Sequence, residues 1–182
     1  MSFSAALAAV LGFEGGYIND PDDRGGETFR GISRKNNPRW PGWSLIDAAK
    51  AAGKTIDSFF AECPGMARLV AELYRREYYD PVARFTGCER PVDKMFEAGV
   101  NLGPAGAIKI AQRLVGARAD GVIGPLTQAA SATYFSRPGA EDIFIAEFCL
   151  RQLEHYLDII IRDHSQLKFL KGWKKRAAFR PA

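Results

Sequence analysis

Residues 13–33 read FEGGYINDPDDRGGETFRGIS. A single glutamate, Glu14, closes an apolar run, two glycines follow, and then comes a loop crowded with Asp, Asn, Gly and Arg. Ala5 to Phe13 is helix-forming, and Gly15-Gly16 tolerate the left-handed backbone that ends a helix. The stretch therefore puts one carboxyl at the last turn of a first helix, beside Phe13 and Tyr17 and next to a polar loop. Cleavage of a glycosidic bond needs such a group, because the leaving oxygen must receive a proton as the bond breaks. The loop supplies Asn19, Asp20, Asp22, Asp23 and Thr28, short polar side chains suited to a water, a sugar hydroxyl or the loop's own backbone. Its spacing lacks the DxDxDG pattern and the glutamate at the twelfth position that a calcium loop requires.

Outward from this stretch the chain reads as helices. Ile18 to Trp43, rich in Pro, Gly, Asn and Asp, has the composition of a long ordered loop with room for a small hairpin in 18–33. Loops of that length in a compact domain usually carry function. Ser44 is placed to cap a short helix through Ala52, and Thr55 another through about Glu62. Met66 to Tyr79 carries apolar residues at a 3.6-residue period. Pro91 is suited to the first position of the helix VDKMFEAGVNL, which Gly103-Pro104 breaks. Ala105–Val115, closed by Gly116, and Leu126–Tyr134 follow, the latter after a DGVIGPLT turn with Pro125 near the helix start. Glu141 to about His164 is long, with Ile143, Phe144, Phe148, Leu153, Tyr156, Leu157, Ile160 and Ile161 as expected core positions. The fold class is all-α, a helical arrangement with a small β-hairpin after the first helix.

Composition sets the surroundings. With 182 residues, 47% hydrophobic and 25% charged, the chain is an ordinary globular sequence, long enough for a sizeable core. A net charge of +4 favours anionic partners. The excess gathers at the end, where Lys168, Lys171, Lys174, Lys175, Arg176 and Arg180 follow His164 without an intervening acid. Helix-turn-helix, RNP and zinc signatures are all missing, so a nucleic-acid reader is not expected, and Phe169, Trp173 and Phe179 read as packing for the last helix. Cys63, Cys88 and Cys149 lie far apart without CxxC spacing, which argues against a disulfide scaffold or a zinc site and reads as reduced, mostly buried thiols. The N-terminal MSFSAALAAVLGF has no basic region before its apolar run and is too short to span a bilayer. The expectation is synthesis in a cytoplasm without a recognisable signal peptide and no stable membrane insertion.

EGGYINDP at 14–21 with GGETFRGI at 25–32 resembles the N-terminal signature of the glycoside hydrolase family 108 muramidases. YYDP at 78–81 agrees, and MFEAGVNLGPAGAIKIAQRLVGARADGVIGPLT at 95–127 is similar to the predicted peptidoglycan-binding region of those proteins. The closing GWKKR fits their tails. The resemblance runs from about Leu7 to Arg176. It implies a lysozyme-like helical fold that cleaves peptidoglycan between N-acetylmuramic acid and N-acetylglucosamine, with the Glu of EGGY, Glu14, as catalytic acid. It also implies a division into a catalytic region, 1–90, and a helical peptidoglycan-binding region, 91–182, packed with the first as one compact unit. Two departures stand out: Glu27 follows the glycine pair where the family commonly has Ala or Pro, and Phe96-Glu97 replaces a usual FD. Glu27 adds a carboxylate that can tune charge preference or rival Glu14 as acid.

A glycosidase needs a second group that attacks the anomeric carbon or activates water. Phage-type lysozymes, to which this stretch is similar, place an Asp or Cys nine residues after the Glu and a Thr six further on. Asp23 stands at the first place and Thr28 one residue short of the second. The expected site is Glu14 as general acid and Asp23 as stabiliser or water-positioning base. Thr28 is a weaker aid, Tyr17 a stacking surface for a sugar and Asn101 a hydrogen-bonding partner for an N-acetyl group. No cofactor and no metal are implied. The expected partner is the peptidoglycan glycan strand, reached through a holin or a secretion system, as in an endolysin or secretion helper. A lytic transglycosylase leaving 1,6-anhydro ends and a non-catalytic wall-binding protein are the competing readings.

Overall fold

The computed structural model describes residues 2–19, 26–61, 63–85 and 88–181. The chain divides into two compact units, one of residues 7–75 and one of residues 1–6 with 76–182. Among the described residues it is mostly helical with one small sheet, as the all-α expectation has it.

Helix α1 (Phe3–Leu11), whose residues from Leu7 on belong to the first unit, leads through a tight turn into strands β1 (Tyr17–Ile18), β2 (Thr28–Phe29) and β3 (Ile32–Ser33). They pair antiparallel in the order β1-β2-β3, Tyr17 opposite Phe29 and Phe29 opposite Ile32. Helices α2 (Gly42–Ala51), α3 (Ile56–Phe60) and α4 (Pro64–Tyr74) complete the unit. Its core gathers Phe29, Ile32, Trp40, Trp43, Ile46, Phe60, Met66, Val70 and Tyr74, all buried. Each indole N–H finds a carbonyl, Trp40 donating to Leu69 at 3.2 Å and Trp43 to Asn37 at 2.7 Å, so the large apolar rings are buried without orphaning a donor. The start of α2 departs from expectation. Pro41 precedes it, and Ser44 lies inside the helix rather than capping it, because proline's fixed φ already presets the first turn. Thr55 does precede α3, though without a side-chain cap bond.

Residues Arg75–Tyr79, of which those from Arg76 on belong to the second unit, form a π-helical turn directly before helix α5 (Asp80–Ala83). Pro81 explains the widening: it has no N–H, and its ring crowds the carbonyl four residues earlier. Helices α6 (Glu89–Leu102), α7 (Pro104–Leu114), α8 (Pro125–Phe135) and α9 (Ala140–Arg162) follow, then a 3-10 segment (His164–Phe169) and α10 (Leu170–Ala177). Pro91 is the third residue of α6, which begins two residues earlier behind Cys88. Gly103 (φ 75°) and Gly116 (φ 74°) end α6 and α7 as expected, and Pro104 and Pro125 open α7 and α8. Between α7 and α8 the fully buried Gln112 organises the turn. Its amide nitrogen donates to Asp120 Oδ1 (2.9 Å), the Val122 carbonyl (3.0 Å) and Thr127 Oγ1 (3.0 Å), while its oxygen accepts from the Gly121 N–H at 2.8 Å.

Helix α9 buries Phe144, Phe148, Gln152, Tyr156 and Ile160, one stripe at four-residue steps. Ile143, Leu157 and Ile161, expected in the core, are exposed by 52%, 42% and 69%, and Leu153 is half-buried. The helix is apolar on more than one side, so composition alone does not decide which side packs. Against it α6 buries a charged group: Lys94 and Glu97, neither exposed to solvent, meet at 3.0 Å, and Lys94 also donates to the Arg176 carbonyl at 2.9 Å. The three cysteines are free and half-buried rather than fully buried.

Candidate functional site

After α1 the chain tightens, with Phe13 N–H donating to the Val10 carbonyl (2.9 Å) and Glu14 N–H to the Leu11 carbonyl (3.2 Å), which leaves Glu14 half-buried just past the helix end. The two glycines then differ in task. A β-carbon at Gly16 would fall 2.5 Å from Asp57 Oδ2, because Asp57 reaches over to accept the Tyr17 N–H at 2.8 and 3.1 Å. Only glycine lets that carboxylate come close enough to hold the start of β1.

Strands β2 and β3 are joined by Arg30 and Gly31, both at positive φ (45° and 78°). Two central residues of this kind make the turn whose twist suits a two-residue hairpin. The turn tip is pressed onto the candidate acid: a β-carbon at Gly31 would stand 2.5 Å from Glu14 Oε2 and 2.6 Å from the Tyr74 hydroxyl. Tyr74, in the last turn of α4 and 1% exposed, donates that hydroxyl to the Arg30 carbonyl at 2.8 Å. The carboxyl of Glu14, the phenol of Tyr74 and the bare α-carbon of Gly31 thus converge. They bring together residues that stand seventeen and sixty positions after the glutamate in the sequence.

Beside this group stands a charged cluster. Glu27, its side chain 12% exposed, accepts from the Tyr17 hydroxyl at 2.7 Å and from Lys50 Nζ at 3.1 Å through Oε1, and pairs with Arg34 Nε at 2.7 Å through Oε2. Arg34 also meets Asp47 with two nitrogens, at 2.7 and 3.1 Å, and lies 4.6 Å from the Trp43 ring. The network ties the sheet to α2. Burial, then the bond to Glu27, raises the Tyr17 phenol above its usual value, and the bond to Glu27 raises the Lys50 ammonium. The Arg34 fork holds the Asp47 carboxyl below the ordinary range. With both oxygens held by two cations and a phenol, Glu27 serves as an anchor, and the geometry does not favour it as a proton donor.

The expected site residues are distributed as follows. Glu14, Tyr17 and Thr28 lie in the first unit. Tyr17 is half-buried with its hydroxyl on Glu27 and Lys50 Nζ 6.0 Å from its ring centre. Thr28, opposite Ile18 and Ser33, donates its hydroxyl to the Gly26 carbonyl at 3.2 Å. Asn101 belongs to the second unit, exposed in the last turn of α6. Asp23, with Asp20 and Asp22, lies outside the described residues. Glu97 of the FE departure is part of the buried α6 charge group. Tyr74, Gly31 and Asp57 are not singled out by the sequence. Tyr74 reads as one more core position, although RG between two apolar strand residues is a turn signal that identifies Gly31. Among the described residues no group of His, Cys, Asp and Glu is arranged to hold a metal ion.

Comparison with known proteins follows this geometry. Residues 7–103 match the family described as glycosyl hydrolase 108, and residues 106–178 match the predicted peptidoglycan domain. No curated protein matches the chain. A solved structure, that of Brucella abortus SagA, is similar at 28% identity with a TM-score of 0.64, covering 97% of this chain and 90% of that one. The stretch that folds around Glu14 falls wholly inside the first match, which takes in more than half of the sequence. The chain belongs to the glycosyl hydrolase 108 family and is a glycoside hydrolase directed at peptidoglycan, with a predicted peptidoglycan domain behind its hydrolase region.

Proposed function

We propose that the protein is a muramidase that hydrolyses the bond between N-acetylmuramic acid and N-acetylglucosamine, with Glu14 as the general acid. The observation that supports this most is the convergence of the Arg30–Gly31 turn and the Tyr74 hydroxyl on the Glu14 carboxyl. A proton donor must be fixed relative to the leaving oxygen, since small misplacement of a catalytic group costs large factors in rate. The close approach of the FRGI turn to the carboxyl that ends EGGY's run-in, Glu14, supports such a role for it.

In this reading Glu14 donates its proton to the bridging oxygen as the bond breaks. Asp23 carries the complementary charge, stabilising the developing positive sugar or positioning the attacking water. Thr28 assists from β2. Tyr17 offers its ring to a sugar, and Asn101 offers its amide to an N-acetyl group. The predicted peptidoglycan domain keeps the enzyme on the wall, and a holin or a secretion system brings it there, as for an endolysin or a secretion helper.

A zymogram on purified peptidoglycan, run with wild type, Glu14→Gln and Asp23→Asn, tests the assignment. Loss of clearing in Glu14→Gln with an unchanged circular dichroism spectrum is the expected result; clearing undiminished by that change overturns it. Mass spectrometry of the digest decides the chemistry. Reducing ends are expected, and 1,6-anhydro ends would make the protein a lytic transglycosylase.

A further inference from the structure

At the close of the chain, inside the stretch that matches the predicted peptidoglycan domain, lies a dense group of cations that the proposed reaction does not use. From His164 onward the 3-10 segment and α10 have two different sides. One is fixed to the second unit: Trp173 stacks on Tyr156 with ring centres 4.9 Å apart, Ala177 is buried, and Arg176, 9% exposed, stands 3.5 Å from Glu97. The other side carries Lys168, Lys171, Lys174 and Lys175, all exposed, and none of them joins an ion pair among the described residues. No acid interrupts residues 164–181.

Between these lysines runs a shallow groove of about 540 Å³ lined by Leu167, Leu170, Lys171, Lys174 and Lys175. Leu167 is 56% and Phe169 46% exposed, and Lys168 lies 5.0 Å from the Phe169 ring centre. Exposed leucine and phenylalanine set among ammonium groups make a surface that is apolar and cationic at once, and the combination selects its partner. A polyanion such as a glycan or a nucleic acid would match the lysines and leave the apolar floor wet. An amphiphile with an anionic head satisfies both, because lysine stems lie along apolar surface while their charges reach outward.

We propose that this face is a docking surface for an anionic phospholipid bilayer. Phosphate headgroups meet Lys168, Lys171, Lys174 and Lys175, while Leu167, Phe169 and Leu170 settle at the boundary of the acyl chains. The surface is preformed, since Trp173 and Arg176 hold the opposite side. It lies on a membrane and does not enter it: no helix among the described residues is long and apolar enough to cross one. Attachment of this kind is reversible and weakens with salt. It is independent of the reaction at Glu14.

The test is co-sedimentation of the full chain with vesicles of phosphatidylglycerol and phosphatidylethanolamine, against phosphatidylcholine vesicles, at 50 and 500 mM salt. Binding to the anionic vesicles alone is expected. The triple change Lys171→Gln, Lys174→Gln, Lys175→Gln lowers that binding by about a hundredfold. Leu167→Asn with Phe169→Asn keeps binding at 50 mM and loses what survives at 500 mM. Glu14→Gln binds vesicles like wild type, which separates this result from the fate of the hydrolase assignment. Failure of wild type to bind anionic vesicles overturns the proposal. So does loss, in the triple variant, of binding to purified sacculi alone, which would make the partner a wall polyanion, and so does indifference of vesicle binding to the Leu167 and Phe169 changes.

Discussion

A β-carbon at residue 31 would have to occupy space already filled by Glu14 and Tyr74, and the backbone there (φ 78°) disfavours any L side chain. Gly31→Ala therefore costs about 1–2 kcal/mol for the left-handed backbone alone, and displacing Glu14 lowers turnover by about a hundredfold. Thermal unfolding and muropeptide release measure the two parts. Tyr74→Phe gives the graded comparison. It leaves the Arg30 carbonyl without its donor, at about 1–3 kcal/mol, and lowers kcat while leaving KM near wild type. Glu27 gives the contrast. Glu27→Gln removes a carboxylate held by Lys50, Arg34 and Tyr17, so its expected signature is a lower Tm with clearing of peptidoglycan retained. Loss of clearing in a folded Glu27→Gln protein would instead make Glu27 the acid.

At the scale of elements, the Gln112 cluster shows how a turn is held by one buried amide. The Asp120 carboxyl is kept below its ordinary value first by the Gln112 amide and then by the Val122 N–H. A depressed folded-state value means that the unfolded chain binds the proton more readily. The stabilisation is then complete above the unfolded value near 3.8 and fades as pH falls through the lower folded one. The Tm difference between wild type and Asp120→Asn is expected at pH 7 and should shrink by pH 3. These helix boundaries were legible before any coordinates. Glycine and proline act through their own backbones, so Gly103-Pro104, Gly116 and Pro125 mark ends and starts wherever the neighbours lie. The exposed side of α9 was not legible: Ile143, Leu157 and Ile161 are as apolar as Phe144, and only the elements packed against the helix decide which stripe is covered. Tyr74 was half legible for a related reason. Its period in α4 assigns it to the core, but the partner of its hydroxyl comes from a hairpin more than forty residues earlier. The place of Glu14 just past the end of α1 was legible because the signal, an apolar run closed by two glycines, is local.

At the scale of the whole molecule, the second unit carries a buried charge group. Glu97 and Lys94 are fully buried together, with Gln152 and Tyr156 beside them. Burial, as the largest cause, pushes the Tyr156 phenol up to about 12. Glu97→Gln removes the negative charge that balances the buried Lys94 ammonium, at about 3–5 kcal/mol, a fall in Tm of roughly ten degrees for a chain of this size. Calorimetry checks this, and the expected loss of heat stability with clearing of peptidoglycan intact separates a scaffold role from a catalytic one. The unit also reclaims the start of the chain: Phe3 packs its ring 5.0 Å from Tyr79 and 6.0 Å from Phe96, and residues 1–6 group with residues 76–182. On the ribosome, that order of assembly matters. Residues 7–75 can condense as soon as they clear the exit tunnel, while Phe3 waits for aromatic rings that are translated more than seventy codons later.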